Sequence, residues 1–115
     1  MSTSSDHSQH DMRSLYTHRL IAKKLQADPG LLAKAWQNIA AAREVADLDA
    51  FVEWEVVLRS PLDKLCDFIS KPSQVATRLR QSSPFIGFIT QEEKKRINEQ
   101  VKFRASHSSS SEYHR

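Results

Sequence analysis

Apolar residues recur at intervals of three and four along most of this chain, on a polar and charged background, and that spacing predicts helices. Leu15, Tyr16, Leu20, Ile21 and Leu25 mark a first helix over residues 13–27, set among arginines and lysines. Asp28 followed by Pro29 suits a new helix start, because proline at the first position has no N–H to leave unsatisfied and its φ is already helical. From there to about Ala46 the face Leu32, Ala35, Trp36, Ile39, Ala40 and Arg43 recurs, and the run Ala40, Ala41, Ala42 is small enough to admit a neighbouring helix. Asp47 or Asp49 opens a third helix through Phe51, Trp54, Val57 and Leu58. Ser60 and Pro61 predict a fourth, with Leu62, Leu65, Cys66 and Ile69 as its buried stripe, ending at Lys71-Pro72. Ser73 caps a fifth, carrying Val75, Ala76 and Leu79.

The pattern then breaks. Residues 82–89, Ser-Ser-Pro-Phe-Ile-Gly-Phe-Ile, hold four large apolar side chains without helical spacing. Pro84 forces Ser83 into an extended conformation and presents Phe85 stiffly. A last helix starts at Thr90-Gln91-Glu92-Glu93, a capping box in which Thr90 and Glu93 satisfy each other's backbone donors, and runs through Ile97 and Val101 towards Phe103. The expected fold is all-α: a compact bundle of five or six short helices over residues 12–104. Polar tails at 1–11 and 105–115 are expected to be disordered, since they cannot bury enough surface to offset the entropy of ordering. Met12 is a second candidate start.

Composition narrows the chemistry. A chain of 115 residues is one domain at most. Its two glycines, Gly30 and Gly87, stand far apart, so there is no phosphate-cradling loop of the common nucleotide-binding kinds. Gly87 sits inside the 82–89 segment, where an unusual backbone conformation is expected. The lone Cys66 excludes an internal disulfide and fits a reducing compartment. No apolar run is long enough for a membrane helix and the first residues lack the apolar segment of a signal peptide, so a cytoplasmic protein is expected, without membrane contact.

The net charge of +3 hides a division: residues 12–42 carry +4, residues 43–70 carry −4 and residues 71–104 carry +5. Opposite signs of this kind pair across a fold or between subunits, and homo-oligomerisation is one such use. The basic C-terminal third, with Arg78, Arg80, Lys94, Lys95, Arg96, Lys102 and Arg104, alternatively meets an acidic protein or a phosphate backbone.

No catalytic constellation is apparent, and neither a metal nor another cofactor is called for. Glu53 and Glu55 are two apart, so on a helix they diverge. Cys66 lies on an apolar stripe, as a structural thiol does. His18 has no spaced second ligand. Residues 61–81 have the outline of a helix-turn-helix, with Gln74, Thr77, Arg78 and Gln81 as base or phosphate readers, but any two adjacent short helices share that outline.

The least generic segment is Arg78-Leu79-Arg80-Gln81-Ser82-Ser83-Pro84-Phe85. It reads either as a helix end whose Phe85 and Phe88 plug the core, or as a preorganised recognition loop in which arginine forks and hydroxyls surround an aromatic anchor. The run RLRQSSPFIGFITQEEKKRI, together with the basic first helix, the Asp28-Pro29 break, Trp54 and Ser60-Pro61-Leu62, resembles small all-helical bacterial antitoxin-like proteins. These carry a C-terminal Leu-Arg-Gln-Ser-Ser-Pro-Phe motif and are encoded beside a presumed toxin. The resemblance spans about residues 12–104 and is specific at 78–86, departing from the family's smaller residues at Ile86-Gly87-Phe88. It implies a non-catalytic protein that binds and occludes a cognate toxin, with Arg78, Arg80, Ser82, Ser83 and Phe85 as the expected contacts. A DNA-binding regulator, acting on the operator of its own operon, is the competing expectation.

Overall fold

Six α-helices form where five or six short ones were expected, and the first and last, at 26 and 23 residues, are long. The computed structural model describes the backbone of residues 2–113 and the side chains of residues 9–106. Helix α1 runs Ser2–Ala27, α2 Leu32–Val45, α3 Asp49–Leu58, α4 Leu62–Ile69, α5 Gln74–Leu79 and α6 Gln91–Tyr113, with 3-10 turns at Pro29–Leu31 and Arg80–Ser82. Among the described residues there is no strand, and the fold is all-α. No described helix is long and apolar enough to cross a membrane. The expectation of disordered tails falls mostly on residues 1–8 and 107–115, whose side chains lie outside the described residues. Gln9, His10 and Asp11, however, continue the helix of α1, and Ala105 and Ser106 that of α6, so both helices run past the boundaries drawn at residues 12 and 104.

Local chemistry explains several helix ends. Ser73 accepts a hydrogen bond from the Ala76 N–H at 3.2 Å, capping α5. Thr90 and Glu93 complete the capping box: the Glu93 N–H donates to Thr90 Oγ1 at 3.1 Å and the Thr90 N–H to Glu93 Oε1 at 2.9 Å. Asp28 accepts from the Gly30 N–H, but what it caps is the 3-10 turn, which then leads into α2. Two starts differ from expectation. The residue before α4 is Pro61, with no side-chain cap from Ser60, and the residue before α3 is Leu48, not an aspartate. Neither Asp47 nor Asp49 caps α3, though Asp49 lies in its first turn, where a carboxylate interacts favourably with the helix dipole.

Helix α1 packs against α4 and α6, while α2 packs against α3. The core gathers Ile21, Ala22 and Leu25 of α1, Ala35 and Ile39 of α2, Trp54 and Leu58 of α3, and Leu65, Cys66 and Ile69 of α4 around Leu79, Phe85 and Phe88. Ala40 and Ala41 are exposed, so the small-residue run in α2 admits no neighbouring helix. Cys66 is buried and its Sγ–H points at the Ala22 carbonyl 3.6 Å away; burial pushes the thiol pKa up, as suits a structural cysteine.

The aperiodic segment is part of this core. Phe85 is 4% exposed, and its ring meets His18, Trp54 and Phe88 edge-to-face at centroid separations of 5.9, 5.7 and 5.3 Å. Trp54 Nε1–H donates to the Leu79 carbonyl at 2.8 Å, satisfying a buried donor and locking α3 to the end of α5. Gly87 has φ +83°, the left-handed conformation that glycine adopts without penalty, whereas Gly30 has no positive φ. Truncating Phe85 to alanine should cost about 3–5 kcal/mol of stability. Gly87→Ala should cost about 1–2 kcal/mol, chiefly through its φ, because the new Cβ would meet only the movable Lys34 side chain. Urea denaturation measures both, and a Phe85→Ala protein as stable as the parent would contradict the packing described.

Candidate functional site

The motif at 78–85 bonds to four other helices, and most of its polar groups are spent inside the fold. Arg80, 5% exposed, is a buried cation at the end of α5. Its guanidinium donates to the Lys71 carbonyl at 2.7 Å, the Ile69 carbonyl at 3.4 Å and Thr77 Oγ1 at 3.2 Å, and so caps the end of α4. Its Nε–H is buried without a partner among the described residues. Burial pulls the Arg80 pKa below its ordinary value, Asp11 opposing this and Arg19 adding to it.

Ser83 and His18 form the second buried polar contact. The His18 Nδ1 lies 2.8 Å from the Ser14 carbonyl, which only accepts, so Nδ1 carries the proton. Nε2 is then the acceptor, and the Ser83 hydroxyl donates to it at 2.8 Å while taking the Phe85 N–H at 3.2 Å. The extended Ser83, φ −65° and ψ 136°, is the conformation Pro84 imposes. A serine hydroxyl on a histidine Nε2 is also the geometry of an activated nucleophile, but here burial lowers the His18 pKa to about 4. The Ser14 carbonyl opposes that shift and nearby Arg80 adds to it. At that basicity the imidazole is a weak proton acceptor, suited to holding Ser83 rather than activating it.

The rest of the loop is gripped through its carbonyls. Asn38 Nδ2 donates to the Pro84 and Ile86 carbonyls at 2.8 and 3.1 Å. Lys24 Nζ donates to the Phe88 carbonyl at 2.8 Å and pairs with Glu93 at 2.7 Å. That lysine, with the Thr90 N–H, holds the Glu93 carboxyl below its ordinary pKa, so the capping box also ties α6 to α1.

Of the expected contact residues, Arg80 and Phe85 therefore lie inside, Ser83 is bonded to His18, and half-buried Ser82 makes none of these bonds. Arg78 alone is exposed, and its guanidinium forms a two-pronged pair with Glu53 of α3 at 2.8 and 3.1 Å. The core-plug reading of Phe85 is the one the fold realises. The two arginines of the helix-turn-helix outline are thus both engaged within the molecule.

What faces outward is a different surface. Helix α3 is apolar on both sides: Trp54 and Leu58 point inward, while Val52 and Val56 are 47% and 61% exposed on the opposite face. Leu48, 48% exposed, precedes them at the same four-residue interval, and Val45 at the end of α2 is 89% exposed. Exposed Glu44, Asp47 and Asp49 lie in the same stretch of chain. The signal was present in the sequence, since an amphipathic surface helix should be polar on its outer face and this one sets Val52 and Val56 there among Asp49, Glu53 and Glu55.

The chain matches no family model, no curated protein and no solved structure. Its own geometry carries the functional argument.

His18 sets a pH dependence. A folded pKa of about 4 against an ordinary 6.5 means that the neutral imidazole stabilises the fold above pH 6.5 and that this contribution is lost as pH falls from 6.5 towards 4. The full loss is on the order of 3 kcal/mol. Urea midpoints at pH 7, 5.5 and 4 should fall accordingly in the parent. A His18→Gln variant, less stable at pH 7, should lack that component of the slope; an identical slope would show that His18 does not carry it.

Proposed function

We propose that this domain is a non-catalytic docking protein, antitoxin-like, whose contact face is the outer side of α3. The observation that carries this reading is the doubly apolar character of that helix. Val52 and Val56 lie one turn apart on a helix already packed through its other side, with exposed Leu48 just before its start, and exposed apolar side chains gathered in this way on a small domain mark an interaction surface. Exposed Glu44 and Asp49 in the same acidic stretch, beside an Asp47 that pairs with Arg43 at 3.4 Å, favour an occupant with an apolar ridge flanked by basic side chains. The same carboxylates would repel each other across a pairing of two identical copies.

This reading keeps the partner class implied by the antitoxin resemblance and moves the contact from the 78–85 motif to α3. The motif then acts as scaffold: it fixes α3 through Trp54 and through the Arg78 pair with Glu53. Occlusion of the toxin requires no chemistry from this chain, and the buried Ser83–His18 pair is accounted for by its structural role.

Co-expression with the product of the adjacent gene tests the proposal. The parent should relieve growth arrest and co-purify with that product. The Val52→Asp/Val56→Asp double variant should lose both while keeping its helical circular dichroism. Equal arrest with and without the parent would refute the antitoxin reading. Parent self-association abolished by the double variant would instead assign the face to a second copy.

A further inference from the structure

On the far side of the motif, α1, the turn at Arg80–Ser82 and α6 enclose a cleft of about 430 Å³. Each of the three walls contributes a cation: Arg13 from α1, Arg80 from the turn and Lys94 from α6. Among its described lining residues the one carboxylate is Asp11, and no Phe, Tyr or Trp lines it. The amides of Gln81 and Asn98 also face this space, and neither makes a hydrogen bond within the described structure.

Arg80 distinguishes the cleft from a chance gathering of surface lysines. Its terminal nitrogens are tied to Lys71, Ile69 and Thr77, so the guanidinium is held in one orientation. Its Nε–H is nevertheless a buried donor without an acceptor, an arrangement that folded proteins rarely leave unanswered. A buried, oriented cation with two further cations from facing helices beside it concentrates positive charge on one cleft, which favours a phosphate-like oxyanion. The imidazole of His10 is the one ring among the described lining residues, which is little on which a nucleobase or a single strand could stack.

We propose that this cleft binds the phosphate group of a small molecule, with Arg13 and Lys94 closing on the anion from α1 and α6 beside the fixed positive charge of buried Arg80. The ligand bridges the first helix, the motif and the last helix.

Pyrophosphate and inorganic phosphate, titrated at constant ionic strength into the full ¹⁵N-labelled chain, test this through the Arg80 Nε–H resonance. A saturable shift of that resonance is expected with at least one of the two anions. Arg13→Gln and Lys94→Gln should each weaken binding about ten-fold. Lys102→Gln, which removes the same charge from α6 outside the cleft, should leave it within about two-fold of the parent. Because the parent titration stands without any variant, loss of folding in one of them does not blunt the test. Absence of a saturable shift with both anions would overturn the proposal, as would equal weakening by Lys102→Gln. Duplex DNA binding that depends on Arg13 and Lys94 where neither anion binds would overturn it in favour of a nucleic-acid face.

Discussion

Phe85 is the constraint on which the other elements depend. It occupies the space that α1, α3 and the connection to α6 leave between them, and its edge-to-face contacts with His18, Trp54 and Phe88 bring side chains from distant parts of the sequence onto one ring. A loop threaded through a core exposes backbone groups to a medium in which they must find partners. That requirement accounts for the polar residues around it: Asn38 and Lys24 take the loop's carbonyls, Ser83 takes the Phe85 N–H, and Trp54 takes the carbonyl of Leu79.

Burial of polar groups in so small a domain carries a cost, and it is met in two ways. His18 stays neutral, so the desolvation of an imidazolium is avoided at neutral pH, and the neutral ring supplies one donor and one acceptor to two fixed partners. Arg80 remains a cation and is offset by two carbonyls at the end of α4, where helix carbonyls are otherwise left without partners. The motif thereby becomes the internal joint of the bundle, while the outer face of α3 and the cleft beside α1 and α6 remain at the surface.

Much of the local structure was legible before any tertiary contact was considered. The capping box at Thr90 and Glu93, the Ser73 cap and the left-handed Gly87 depend on groups a few residues apart, and short-range sterics and hydrogen bonding decide them. The Ser60 cap failed because Pro61 itself takes the position before the helix, and the Ala40 to Ala42 run failed because no element packs over that part of α2. The outer face of α3 was open to a reader of periodicity: Val52 and Val56 fall where polar residues belong.

The sequence by itself determined an all-α chain of five or six helices, most of their ends, and a break at residues 82–89, because the spacing of apolar residues and the chemistry of caps act over a turn or two of helix. Only the tertiary structure decided what the motif residues do. Arg78 and Arg80, two apart in sequence, end on opposite sides of a surface, one paired with Glu53 outside and the other bonded to α4 inside. Ser83 meets His18 across 65 residues. Burial and long-range hydrogen bonding depend on which elements converge in space, and that information lies in the packing of the whole chain rather than in any stretch of it.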